Sequence, residues 1–484
     1  MSSATSTTRI SMRSITAVIG FLAFVEFTSG VIQGYYTPLY HDIARFLGVT
    51  DPELNWLEAA QLAASAIAVP AFAKLGDMVG HRRMLLISTA ITALAAITVA
   101  FSGVFWLFLI AWAVMGFYSV WLPLEIAIVF SRSQDHPTPS ALTRRAAGIL
   151  VGALEVGAIA GALTSGALDG ALPIQGLLLV PAIAVVACFF VVLFGIKESA
   201  DAVARRAIPT RFDNGGLILV ALALLGLTGG LSLLRLNGPA SFWPWAVIVV
   251  GIALFIPFSL YELKQRDPLV NVRLFRSSSL WPVFVTAGLF GVSVLGAQVP
   301  LSTFARTDVH KYGYGLGASA GMTSALIGVY LISLVAGALL LPVVTRWIAP
   351  RVALIGASLL VAIGYLLFLP FHADYVQVVV NMLIAGLGSG ALIAALPAAA
   401  ASAAPLDQTG VATGLTNSVK TVGGAIASAV FGIALANPTA SATDTAGTLS
   451  GYYTVWIVCG LTAVLCAGLL LFVPKHAFAD PPTS

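Results

Sequence analysis

Fourteen apolar runs, each close to the length of a bilayer crossing, constrain this chain more than any other feature. They lie at about 14–36, 56–76, 83–101, 105–130, 145–168, 175–196, 214–234, 243–263, 280–304, 319–345, 352–370, 374–400, 411–436 and 452–473. A hydrocarbon core takes about 20 apolar residues in helical form. Inside it every backbone N–H and C=O must be satisfied within the segment, which leaves helices as the spanning element for runs of this length. Composition points the same way. The 484 residues are 59% hydrophobic and only 9% charged, against roughly 25% charged in soluble domains. The expected fold class is therefore an all-α integral membrane protein with 14 transmembrane helices.

The basic residues order these runs across the membrane. With the N-terminus on the cytoplasmic side, nineteen of the 24 Lys and Arg residues fall in cytoplasmic loops and tails. Four (Arg45, Arg235, Arg306 and Lys311) fall outside, and Lys420 lies within a run. That asymmetry is the one the positive-inside rule demands, and losing one middle helix would scramble it. Both termini are then cytoplasmic, and the first run reads as a retained helix rather than a cleaved signal. The net charge of +4 has no basic helix or aromatic–basic array behind it, so nucleic acid is not an expected partner. Cys188, Cys459 and Cys466 all sit in apolar runs and read as packing residues, not as a disulfide or metal site. No P-loop, zinc spacing or nucleophile–His–acid arrangement is present, which argues against an enzyme.

The joint after the second run reads Ala73-Lys74-Leu75-Gly76-Asp77-Met78-Val79-Gly80-His81-Arg82-Arg83. Gly80 permits a sharp reversal there, and the basic cluster holds the turn at the cytoplasmic surface. This joint resembles the helix 2–3 signature of the major facilitator superfamily, Gly-x-Leu-x-Asp-Arg-x-Gly-Arg-Lys. Leu75, Asp77, Gly80 and Arg82 match it, while Ala73, Met78 and His81 depart. A weaker echo, Thr345-Arg346-Trp347-Ile348-Ala349-Pro350-Arg351, follows the tenth run, and the fifth run aligns loosely with the thirteenth. The implied plan is two six-helix bundles around a central cavity, 6+2+6, resembling the fourteen-helix drug:proton antiporter branch. Its parts are a tail (1–13), an N-terminal bundle (14–196), a linker with two inserted helices and an interfacial segment (197–279), a C-terminal bundle (280–473) and a second tail (474–484).

Further matches and departures bear on mechanism. The fifth run, Gly148-x8-Gly157-x3-Gly161-Ala162-x2-Ser165-Gly166, resembles the antiporter signature Gly-x8-Gly-x3-Gly-Pro-x2-Gly-Gly, with Ala162 in place of its proline. Small residues on one face let another helix approach closely; the expected contact for Gly157 and Gly161 is the opposite bundle. The family's fourth-helix Arg-x-x-Gln-Gly appears as Trp112-Ala113-Val114-Met115-Gly116, without its arginine. Proton coupling would then fall to Glu26, Glu125 and Glu155, taken as the acids within the runs. Each costs about 3 kcal/mol if ionised against lipid. Glu26 heads a polar stripe with Thr28, Ser29 and Gln33; Glu125 either lines the cavity or pairs with Arg132; Glu155 shares the glycine-rich helix. Lys420 reads either as a snorkelling side chain or as a participant.

Candidate substrate contacts are Glu26, Gln33, Phe117, Tyr118, Trp121, Glu125 and Asn381; candidate gating residues are Asp77, Gly80, Arg82, Arg132, Gly157 and Gly161. The expected function is proton-coupled efflux of an amphiphilic neutral or cationic small molecule. Metabolite uptake, or lipid or peptide export, by the same fold stands as the alternative. The proton gradient would be the only driving component, with no cofactor or metal; the chain would act as a monomer in a bacterial cytoplasmic membrane.

Overall fold

A computed structural model describes residues 12–133, 139–197, 212–404, 408–437 and 445–472. Residues 1–11 of the proposed N-terminal tail (1–13), the whole proposed C-terminal tail (474–484) and much of the basic linker, at 198–211, lie outside the described residues. Among those described there is no β-strand, only an isolated bridge between Asp169 and Leu172. The helices are α1 (Met12–Tyr35), α2 (Tyr40–Leu47), α3 (Leu54–Val79), α4 (His81–Phe101), α5 (Phe105–Met115), α6 (Trp121–Ser133), α7 (Pro139–Leu168) and α8 (Ile174–Gly195). They continue with α9 (Asn214–Asn237), α10 (Phe242–Ala253), α11 (Phe255–Glu262), α12 (Trp281–Val294), α13 (Gln298–Arg306) and α14 (Val309–Tyr312). The last five are α15 (Ala320–Val344), α16 (Pro350–Leu366), α17 (Tyr375–Ala403), α18 (Thr409–Ala434) and α19 (Leu449–Leu470).

Twelve of the described helical stretches are long and apolar enough to cross a membrane. The shorter apolar α16 and the 26-residue α18, with Thr416, Asn417 and Lys420 in its first half, occupy two more of the apolar runs. Large lipid-type side chains such as Trp106, Leu94, Phe194 and Leu339 point outward and are exposed, as expected where the surrounding solvent is hydrocarbon.

Two cores divide the chain. One is built almost wholly from the stretch α1 to α8, including Leu22, Trp112, Trp121 and Val185, with Val299 of α13 joining it. The other is built almost wholly from residues of α12 to α19, including Phe284, Phe304, Phe368 and Trp456. The pair formed by α9 and α10–α11 packs on α3 and α18 through Leu227, Leu231 and Ile248 against Ala59 and Ala429. Leu224 and Phe258 against Ala66 extend that seam.

The span Phe242–Glu262 is interrupted at Leu254, and three further spans are broken near the middle of the molecule. The stretch Ala17–Leu47 leaves α-geometry at Thr37–Leu39, where Pro38 has no N–H to offer. The stretch Phe105–Ser133 tightens to a 3₁₀ turn over Gly116–Val120. There Ser65 Oγ donates to Gly116 O at 2.8 Å, satisfying a carbonyl at the break. The stretch Trp281–Arg306 breaks at 295–297, beside Gly296. Irregular backbone at membrane depth is tolerated where protein or a cavity covers it.

The face that carries the α1–α3 connection, here the distal face, ties the two cores together. Arg306 Nη2 donates to both carboxylate oxygens of Asp42 at 2.8 and 2.9 Å. Asp51 N donates to Thr445 O at 2.9 Å and Ser428 Oγ to Asn55 O at 3.0 Å. Ser302 Oγ donates to Thr37 O beneath them. On the opposite, proximal face Gly80 adopts φ +113°, separating α3 from α4 without the strain a side chain would bring. Arg82 donates to Leu193 O and Ile196 O, and Arg132 to Lys197 O, so both cations sit on the carbonyl end of α8, where a helix terminus is electronegative.

The glycine-rich α7 corrects one expectation. Gly157 and Gly161 face α1 of their own bundle, not the opposite one. A Cβ on Gly157 would lie 2.0 Å from Phe27 O, and one on Gly161 2.7 Å from Val31 O. The glycine that meets the other half is Gly166, whose Cβ would lie 2.1 Å from Ser324 Oγ.

Candidate functional site

Glu26 on α1 and Glu125 on α6 meet in the interior of the N-terminal bundle, both with no solvent exposure. Their carboxyl groups lie within electrostatic range of each other. Among the described residues no N–H or O–H donor reaches any of the four oxygens. Thr28 donates to Phe24 O at 2.9 Å instead, and Cys188 on α8 borders the acids. A carboxyl donates only when it carries a proton, and two bare carboxylates in contact repel strongly in a low dielectric. One proton held by the pair would relieve both costs. The pairing of Glu125 with Arg132, open from the sequence, is not formed: Arg132 lies on Lys197 O.

A second acid faces a pocket, and the sequence reading passed over it. Glu58, on α3, lies within the second apolar run and is 5% exposed. Its Oε2 accepts from Tyr40 Oη at 2.9 Å. The pocket is lined by Gln33, Tyr36, Gln61, Trp112 and Tyr118 of the N-terminal bundle and by Leu295 and Gln298 of the other. The breaks near Pro38, Gly116 and Gly296 converge there, through Tyr36, Tyr118, Leu295 and Gln298. The missed signal was the polar spacing Glu58, Gln61 and Ser65 along α3, which falls on one helix face. Glu262, buried at the end of α11 near Asp213, is another acid inside a span.

The other candidates disperse. Gln33 and Tyr118 both line the pocket. Phe117 packs edge-on against Phe72, centroids 5.4 Å apart. Trp121 is fully buried with its ring edge toward Tyr118. Asn381 lies away from the pocket, its Nδ2 donating to Phe371 O at 2.7 Å and bracing the α16–α17 connection. Glu155 is partly exposed on α7, with Lys420 of α18 the opposite charge it feels across the two halves. Asp77 is 63% exposed and accepts from His81 Nε2 at 3.0 Å rather than from Arg82 or Arg132. Among the described residues no group of three or more His, Cys, Asp or Glu could hold a metal ion.

The distal tie joins α2, which begins at the pocket-lining Tyr40, to α13, which carries the pocket-lining Gln298. Charged hydrogen bonds such as Arg306–Asp42 contribute about 1.5–3 kcal/mol, and this pair is largely sheltered, its side chains 12% and 20% exposed. Arg306→Ala is expected to loosen that face. A cysteine placed at Gln61 should then label faster with a membrane-impermeant thiol reagent, and an unchanged labelling rate would count against the tie.

Two helical bundles meeting around a pocket at broken spans, with acids inside the membrane-spanning region, define a transporter rather than an enzyme. The chain belongs to the Major Facilitator Superfamily, whose family model matches residues 22–428 and 316–484. It is 26% identical over 405 residues to the tetracenomycin C resistance and export protein of Streptomyces glaucescens, covering 80% of this chain and 69% of that one. It is 25% identical over 295 residues to the quinolone resistance protein NorB of Staphylococcus aureus, covering 59% and 60%. The nucleoside transporter NupG has the same fold at a TM-score of 0.60 and 14% identity, over 95% of this chain and 98% of that one.

Proposed function

We propose that this protein exports an amphiphilic neutral or cationic small molecule from a bacterial cytoplasm in exchange for protons, by alternating access. The single observation that carries the reading is the Glu26–Glu125 pair: two neighbouring carboxyls, buried, with no hydrogen-bond partner among the described residues. Such a pair accommodates one proton readily and none only at high cost, which suits a carrier loaded on one side and discharged on the other. The efflux direction is supported by the resistance and export relatives. The charge asymmetry of the loops supports an outer distal face, cytoplasmic termini and a 6+2+6 plan of fourteen spans. The distal tie then makes this an outward-closed state, with two halves rocking about the pocket. The test is proteoliposome transport of a panel of drugs, dyes and metabolites under an imposed pH gradient. Accumulation driven by ΔpH supports the reading; facilitated movement indifferent to ΔpH defeats it. Accumulation in the opposite orientation marks uptake.

In this reading Asp77 is a latch for the other state, here held only by His81 of the neighbouring helix and turned to solvent. When the proximal face closes, its carboxylate reaches the N-terminal end of α18, a contact contributing about 0.3–1 kcal/mol. Asp77→Asn is expected to slow transport several-fold while leaving the yield and thermal stability of purified protein unchanged. Full-rate transport by that variant would remove the latch.

A further inference from the structure

We propose that Asp213 and Glu262 form a proton-binding site of their own on the proximal face, apart from the transport pocket, and that its proton keeps the segment 263–276 docked against α3 and α18. The site lies where the inserted pair begins and ends: Asp213 precedes α9 and Glu262 closes α11. Both are buried, at 6% and 1% exposure. Each carboxylate engages the backbone through one oxygen. Asp213 Oδ1 accepts from Gly216 N at 2.8 Å, and Glu262 Oε2 from Val270 N at 3.4 Å. The other two oxygens, Asp213 Oδ2 and Glu262 Oε1, are shielded from solvent and have no hydrogen-bond partner among the described residues.

Those two oxygens face the same point. A Cβ on Gly216 would stand 2.2 Å from Glu262 Oε1 and 2.8 Å from Asp213 Oδ2, so the missing side chain is what lets the acids converge. Two buried acceptors with no donor between them are costly to hold together, and bare carboxylates repel as well. A single proton makes one group a donor to the other. Cations stand nearby without bonding the inner oxygens. Lys74 of α3 lies within electrostatic range of Glu262, and Arg273 Nη2 donates to Leu263 O and Gln265 O at 2.8 and 3.3 Å. The Tyr261 phenol, on α11, lies within electrostatic range of both acids. No histidine falls between residues 212 and 280.

The consequence of that proton follows from what Glu262 holds. Leu269 and Val270 belong to an apolar cluster with Ala66 and Ile67 of α3 and Val422 of α18. One residue on, Asn271 Nδ2 donates at 2.8 Å to Oε1 of Gln408, the residue before α18. The segment 263–276 is thus a strap from the inserted pair to both bundles. The docked strap holds one proton more than the freed one, so docking is favoured at low pH and lost as pH rises. Its release frees the proximal end of α18, the end that the Asp77 carboxylate would meet. Only the assignment of the proximal face to the cytoplasm rests on the exporter reading; the acid pair and its strap stand without it.

The experiment is spin-label mobility on the purified full chain in detergent, with no cargo and no gradient. The label is attached through Arg266→Cys, since Arg266 is exposed on the strap and the three native cysteines are buried. The pH is stepped from about 5 to about 9, a range spanning an ordinary carboxyl and a buried one. An immobile label is expected at low pH, with the mobile fraction rising several-fold through one transition. Glu262→Gln and Asp213→Asn should each keep the label immobile throughout, because an amide donates to the remaining carboxylate at every pH. Either variant decides the matter should the other fold poorly. Gly216→Ala should show the mobile spectrum even at low pH, because its Cβ parts the two oxygens. No pH transition in the otherwise unaltered chain, or a transition that survives in both amide variants, overturns the proposal. A second arm, at fixed pH, compares sodium, potassium, magnesium and calcium chloride with choline chloride. Immobilisation by a metal ion that Glu262→Gln abolishes would assign the site to that ion and overturn the proton. Loss of ΔpH-driven transport in vesicles would defeat the exporter reading and leave this titration untouched.

Discussion

Glu125→Gln and Glu26→Gln, made singly, are each expected to abolish accumulation driven by ΔpH while sparing downhill movement of the same cargo. A glutamine has nearly the shape of the glutamic acid it replaces, and its amide can donate to the remaining carboxylate. The buried pair thus stays satisfied and the bundle stays folded, but the pair can no longer take up and release a proton as a unit. One pH unit is about 1.36 kcal/mol per proton. An electroneutral one-for-one exchange under that gradient therefore sustains roughly tenfold accumulation, and each variant is expected to fall to a ratio near one. The measurement is uptake into inverted vesicles at an imposed ΔpH of one unit, beside exchange without a gradient. Glu155→Gln is the comparison: Glu155 is partly exposed and sees Lys420 across the halves, so that variant should retain coupling. Tenfold accumulation surviving in both Glu26→Gln and Glu125→Gln would take the proton off this pair.

What the sequence could and could not convey follows from the range of the forces involved. Spans were legible because hydropathy is local: the runs at 83–101 and 145–168 coincide closely with α4 and the membrane part of α7. The first run was cut near residue 36, whereas the helical stretch continues to Leu47 beyond the turn at Pro38; the polar His41 and Asp42 ended the apolar signal early. The acids Glu26 and Glu125 were visible singly. Their meeting was not, because α1 and α6 are brought together by the packing of the whole bundle. Glu58 was overlooked for a related reason. It stands one turn inside the start of α3, beside Asp51 and Glu53, and so resembled the polar edge of a span. The small-residue pattern of α7 predicted close approach correctly in kind, but a groove does not name the helix that fills it.

That groove supports the second large effect. Gly157→Leu is expected to prevent assembly of the N-terminal bundle. The Cβ of any side chain at 157 would stand 2.0 Å from Phe27 O, and the reciprocal Gly30 Cβ 1.9 Å from Leu154 O. These neighbours are backbone atoms of α1 and α7, which cannot rotate away as a side chain would. Overpacking a core typically costs about 1–3 kcal/mol, and here the helix axes must separate, which breaks the contacts along the whole seam. It would also pull Glu26, one residue from Phe27, away from Glu125. Gly148 lies on the same helix and belongs to the same sequence pattern, yet nothing stands within 4 Å of a Cβ there. Gly148→Ala should therefore be neutral or slightly stabilising, since glycine in a helix is about 0.5–1 kcal/mol less favourable than alanine. Size-exclusion profiles and thermal unfolding of the two variants separate the cases. A monodisperse Gly157→Leu protein with unchanged unfolding temperature would mean that α1 and α7 do not pack through this groove, and the geometry that brings Glu26 to Glu125 would fall with it.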